Sequence, residues 1–171
     1  METTMQPLLE MHNRILQGLK RTLADISPEE VDWRPLPEAN NINTIVRHLR
    51  IEAQWHLDCI ENGAAMPLKV SPELQQSIDA VPMDFEKNWK ELQDLFVQFI
   101  ERLSSLTIEK LKQQSMIAYK AFGRATPHML SFHQAIHLAG HMGQISSIRN
   151  LYRKTRGEPA LFFPDNPTFP K

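Results

Sequence analysis

SFHQAIHLAGHMGQISSIRNLY, Ser131 to Tyr152, is the stretch whose spacing decides the fold. His133, His137 and His141 recur every four residues, and Leu130, Ile136, Ile145, Ile148, Leu151 and Tyr152 keep helical rather than strand spacing. Side chains four apart on a helix stand one above the other on one face. His137 and His141 can therefore turn an imidazole nitrogen toward one point about 2 Å from each, as a shared metal requires. The apolar set shares a broad stripe with the histidines, which predicts that the pair lies nearer the core than the solvent. Satisfied core histidines or a solvent-facing row would give the same spacing, so a third ligand from elsewhere has to join the pair before the metal reading prevails.

The whole chain sets the frame for that search. Its 171 residues suit one domain that buries about two thirds of its unfolded surface, enough for a core without a metal or disulfide as staple. Lys and Arg total 19 against 20 Asp and Glu, so no global basic field argues for nucleic acid or anionic lipid. Cys59 is the single cysteine; no intramolecular disulfide can form, and Asp58 and Glu61 beside it do nothing to activate a thiol. A reducing compartment is the simple inference. METTMQPLLEMHNR lacks the basic start and apolar run of a signal peptide, and no stretch approaches a membrane span. The expectation is a cytoplasmic protein.

From the start of the chain, Met5, Leu8, Leu9, His12, Ile15, Leu16, Leu19 and Leu23 mark an amphipathic helix over about 4–25, with His12 on its apolar face. Ser27-Pro28-Glu29-Glu30 starts a short helix, with Ser as cap and Pro in the first position, and Trp33-Arg34-Pro35-Leu36-Pro37 breaks it. A second long helix, capped by Asn41 or Asn43, runs to about Asn62 before Gly63. Ile42, Ile45, Leu49, Glu52 or Ala53, His56 and Ile60 form its core-facing series. His48 flanks that series and is the natural third ligand if this helix lies beside the last one; His56 and Glu52 are alternatives. Glu52, four residues after His48, could instead accept the second ring N–H of a liganding imidazole.

Residues 64–82 read as a crossover loop with at most a short helix at 72–79. Asp84 then caps a third long helix on which Phe85, Trp89, Leu92, Phe96, Ile100 and Leu103 step by four and three, with no histidine and an architectural role. Thr107 begins a further short helix. SMIAYKAFGRAT alternates weakly, and an irregular loop is preferred to a small hairpin there, because two strands alone are marginal. Thr126-Pro127 opens the last helix, about 28 residues long, whose basic end Arg153, Lys154 and Arg156 precedes Gly157. His128 in its first turn is exposed by this reading. The chain divides into a bundle domain over 1–157 and an extended, Pro- and Phe-rich tail over 158–171 that packs on the bundle or on a partner chain.

Four long amphipathic helices with long crossover loops make an all-α four-helix bundle, whose metal sites face inward from neighbouring helices. SPEEVDWRP, NNINTIVRHL and the H-x-x-x-H-x-G-Q segment, in that order, resemble the DinB/YfiT-like superfamily over the chain up to Gly157. The resemblance implies a divalent-metal enzyme in which His48 joins His137 and His141 as ligands and catalytic residues, and His133 stays outside the coordinating set. Met142 stands where members commonly have Arg. Three neutral nitrogens and an open position suit Zn or Ni rather than Mg or Ca. The resemblance points to transfer of a low-molecular-weight thiol to an electrophilic small-molecule substrate, with metal-dependent hydrolysis or a non-enzymatic, stress-related metal-binding role as the alternatives. It also implies a homodimer. No nucleophile elbow, phosphate loop or carboxylate dyad is present, which disfavours covalent and nucleotide mechanisms.

Overall fold

The computed structural model describes residues 6–62, 72–112, 118–119, 123–124 and 126–162. Four long helices dominate: α1 (Gln6–Thr22), α3 (Ile42–Asn62), α5 (Phe85–Ser104) and α7 (Pro127–Thr155). Short helices α2 (Pro28–Asp32), α4 (Pro72–Asp79) and α6 (Ile108–Lys112) occupy the connections. Helix α3 packs on α5 and α7, and α1 packs on α7 and α5, so the four close a ring. This is the expected all-α bundle. No helix of the described residues is long and apolar enough to cross a membrane.

The starts of the helices follow from the predicted caps. Ser27 Oγ accepts from Glu30 N–H at 3.2 Å, Asp84 Oδ1 from Lys87 N–H at 3.0 Å and Thr126 Oγ1 from Met129 N–H at 3.2 Å. Of the two candidates before α3, Asn41 is the cap, taking Thr44 N–H at 2.8 Å; Asn43 instead donates to Asp32 Oδ1 and the Met83 carbonyl, tying α2 and the start of α5 to α3. Helix α1 ends at Thr22 rather than near Asp25, because the chain turns there and Asp25 takes φ +53°. At the far end of α7, Gly157 at φ +72° lets Glu158 N–H return to the Arg153 carbonyl.

The interior is built from Leu16, Leu19, Ile42, Val46, Leu49, Leu92, Phe96, Leu138 and Ile145. Gly18 permits a close approach of α1 to α7: a Cβ there would lie 2.9 Å from Met142 Sδ. Met142 therefore packs into the helix interface. His12 is fully buried against Phe96 and Phe99, its Nδ1 2.9 Å from the Leu8 carbonyl. Arg149, also buried, joins three segments: Nε and Nη2 hold the two Glu30 oxygens at 2.7 and 3.3 Å, and Nη1 donates to the carbonyls of Thr22 and Ala24 at the end of α1. It supplies donors to carbonyls that a helix end leaves without intrahelical partners. Cys59 is buried, and burial followed by the charge of Asp58 pushes its thiol up to about 12.

Two expectations are corrected. Ala118 pairs with Arg124 and Tyr119 with Gly123 in a small antiparallel hairpin, β1 (Ala118–Tyr119) and β2 (Gly123–Arg124), where an irregular loop was preferred; cross-strand pairing satisfies backbone groups that such a loop leaves to water. Ile136 and Leu151 do not belong to the core stripe of the last helix. They are 71% and 46% exposed, because α7 turns Leu130, Ala135, Leu138, Ile145 and Ile148 inward instead. Of the tail, residues 158–162 lie on the end of α7, where Asn150 Oδ1 accepts from the Leu161 and Phe162 amides and Arg153 Nε donates to the Pro159 carbonyl. Residues 163–171, with Phe163 and Phe169, are outside the described residues, as are 63–71 of the crossover.

Candidate metal centre

Helices α3 and α7 run antiparallel along one seam. His48 of α3 faces His137 and His141 of α7, and one turn or two further on His56 faces His133. The buried neighbours of His48, Ile45 and Leu49, anchor α3 in the core and leave the imidazole at the rim, its side chain 44% exposed. Buried Leu138 and Ile145 fix α7 in the same way and set His137 and His141 on the flank toward α3.

One nitrogen from each of His48, His137 and His141 lies within 4.8 Å of the others. His137 Nε2 is 3.4 Å from His48 Nε2 and 2.9 Å from His141 Nε2. Ligand atoms about 2.0–2.1 Å from a tetrahedral ion stand about 3.3 Å apart. The spacing suits such an ion.

On α7 the outer ring nitrogens explain why His137 and His141 present Nε2. Glu52 Oε2 lies 2.7 Å from His137 Nδ1, and Gln144 Oε1 lies 2.8 Å from His141 Nδ1. Gln144 Oε1 accepts from His141 Nδ1–H, and the Glu52 charge beside His137 Nδ1 favours the same tautomer, leaving a lone pair on each Nε2. Two lone pairs then face each other at 2.9 Å between His137 and His141, an arrangement that a cation relieves. Glu52 Oε2, although close to His137, is buried without an aligned hydrogen bond, and Oε1 sits 3.5 Å from His48 Nε2. The donors fit a divalent metal.

Electrostatics agree. Burial lowers the pKa of His48, and the neighbouring histidines lower it further against the opposing charge of Glu52; burial and then His137 lower that of His141. Neutral imidazoles are the form that binds metal. For Glu52, burial opposes ionisation, but contact with His137 and the charges of His137, His48 and His56 outweigh it and hold the carboxyl below its usual range.

The alternatives on α3 sort clearly. His56 is fully buried, donates from Nδ1 to the Glu52 carbonyl at 2.7 Å, and meets His133 Nδ1 at 3.2 Å through Nε2; burial carries its pKa down to about 4. It supports the seam from below. His133 stacks on both His56 and His137, with ring centroids 5.5 and 5.7 Å away, outside the three-nitrogen cluster. His12 is in the core and His128 is exposed. Met142 points toward Gly18, so the position where Arg is common reaches into the α1–α7 packing here. Gln144 was legible only as a nearby polar group; its place three residues after His141 is the signal for its contact.

Compared with known proteins, residues 7–154 match the Mycothiol-S-transferase family, in agreement with the DinB/YfiT-like resemblance of the sequence. No curated protein matches the chain. Family and three-histidine cluster together are those of a metal-dependent enzyme of the thiol-transfer kind.

Proposed function

Because the chain belongs to the Mycothiol-S-transferase family, we propose that it transfers a low-molecular-weight thiol, such as the mycothiol of the family's name, to an electrophilic organic substrate. His48, His137 and His141 would hold Zn or Ni through Nε2. A divalent ion there supplies a Lewis acid that favours the ionised form of a thiol or water it takes up. The observation carrying this reading is the convergence of three Nε2 atoms whose outer nitrogens on α7 are each assigned a fixed acceptor.

The chain's own groups do the rest. Glu52 contacts His137 through Oε2, and its carboxylate, held below its usual pKa and 3.5 Å from His48 Nε2 through Oε1, would accept the proton that the incoming thiol gives up. The sulfur then forms its bond to the electrophilic carbon while the leaving group departs with its electron pair. The exposed edge of His48 is the open side for both reactants.

The test is metal analysis of the purified protein, followed by turnover of electrophiles with and without a small thiol, before and after chelation. The expected result is a stoichiometric divalent metal and thiol-dependent product lost on chelation. Thiol-independent cleavage of esters or amides would select the hydrolase instead, and turnover that survives complete metal removal would reject both.

A further inference from the structure

We propose that a groove beside the three histidines seats the organic body of the electrophile, and that Gln144 positions it by donating a hydrogen bond from its side-chain amide. The substrate class is then an uncharged, largely apolar electrophile activated by a carbonyl or nitro oxygen. This rests on the thiol-transfer reading above and adds where the second reactant goes. The groove, of ≈ 710 Å³, runs between α7 and the loop that joins α2 to α3. Small-molecule sites span about 300–1,000 Å³, so the space suits a compact organic ligand. Buried Ile45 and Ile148 line it, with Pro35 and Ala39 on the loop side and Gly143 on α7. No Asp, Glu, Lys, Arg or His is among the described residues around it. A charged group would be stripped of water there without meeting a counter-charge, whereas an apolar ring gains by leaving water.

Two residues join the groove to the histidines. Ile45 precedes His48 by one turn of α3, and Gln144 follows His141 by one turn of α7. Gln144 does more than mark the border. Its Oε1 takes the hydrogen of His141 Nδ1 at 2.8 Å, which fixes the amide plane. Both hydrogens of Nε2 remain, and no group among the described residues accepts them. They are the polar donors of a wall that is otherwise mostly apolar, the arrangement by which a small-molecule site fixes orientation. A carbonyl or nitro oxygen that accepts from Nε2 would stand one side chain away from His141, so the reacting end of the electrophile lies beside the cluster while its apolar body lies along Ile45 and Ile148. The same donor draws charge toward that oxygen and away from the carbon that the sulfur attacks.

Binding is tested apart from turnover, by calorimetry of the metal-loaded full chain with 2,4-dinitrotoluene, a neutral nitroaromatic without a leaving group. Wild type is expected to bind it. Gln144→Glu keeps an acceptor for His141 Nδ1–H but removes both donors, and Gly143→Leu takes up room in the groove, where a Cβ meets nothing within 4 Å. Each should weaken binding about tenfold, with metal content and helical circular dichroism unchanged. Turnover then compares 1-chloro-2,4-dinitrobenzene with the anionic 4-chloro-3,5-dinitrobenzoate, each against its uncatalysed rate with the same thiol. The C–S bond forms, chloride leaves with the C–Cl electron pair, and the thiol proton goes to the acceptor assigned above. The neutral compound should be preferred about tenfold in kcat/KM, and Gln144→Glu should raise KM more than it lowers kcat. No binding by wild type, affinity within about threefold of wild type in both variants, or equal use of the two chlorides overturns the proposal. Loss of binding in Gly143→Leu alone overturns the role of Gln144 and supports the groove. Binding that both variants lose, in a metal-loaded wild type that forms no thiol-dependent product, supports the groove and overturns thiol transfer.

Discussion

Replacing Glu52 by glutamine separates orienting a ligand from being one. Its Oε2 is 2.7 Å from His137 Nδ1, while Oε1 is 3.5 Å from the His48 nitrogen that faces the cluster. Glutamine keeps the shape but removes the charge that holds the Nδ1–H tautomer and raises the basicity of Nε2. Loss of such a partner costs about 10–100-fold in metal affinity, equivalent to about 1.4–2.7 kcal/mol. The metal-free fold should keep its apolar packing with a modest loss of stability, because contact with His137 outweighs burial and favours the ionised carboxyl in the folded protein. The assay is competition for Zn²⁺ with a chromophoric chelator, alongside urea denaturation of the metal-free variant. Zinc affinity within about threefold of wild type would refute the orienting role; the denaturation measures how much of the loss belongs to the metal-free fold.

His137→Ala should lose metal and turnover together while retaining the helical spectrum, read by elemental analysis and circular dichroism, since two remaining imidazoles do not define a site. Arg149→Met should destabilise by about 3–5 kcal/mol, because it strands the Glu30 carboxylate in the core; a melting temperature lower by about 10 °C is expected from the scaling for this size. Stability of the metal-free protein should fall with pH. Burial lowers the pKa of His12 and carries that of His56 down to about 4, against 6.5 when unfolded, so both contributions are complete above about 6.5 and fade as pH drops through and below it. For His56 the fully lost share is about 3 kcal/mol, measurable as a shift in urea midpoint between pH 7 and pH 4; an unchanged midpoint would contradict the buried neutral ring.

The bundle was legible because Phe85, Trp89, Leu92 and Phe96 repeat at helical intervals and because Ser27, Asp84 and Thr126 name their own helix starts. The last helix was legible in extent but not in rotation. Its apolar residues occur all round, so Ile136 and Leu151 were assigned inward together with Ile145, and only packing against α1 and α3 picks the buried side. His48 followed from one condition, the adjacency of two helices, which the fold meets. Sequence spacing left Glu52 between ligand and hydrogen-bond acceptor, since both roles use the same turn; in the fold its Oε2 lies 2.7 Å from His137 Nδ1 and its Oε1 3.5 Å from His48 Nε2. Arg149 with Glu30 was not legible at all, because the pair lies 119 residues apart and neither position breaks a local pattern.

Cys59 gives the proposed chemistry an unexpected boundary. A protein that handles a diffusible thiol works amid mixed disulfides and alkylating electrophiles, and its own sulfur competes only as the thiolate. With its pKa pushed up to about 12, Cys59 stays protonated, and with the side chain enclosed in the core it offers no line of attack. The catalyst is thus spared modification at cysteine by the compounds it would process.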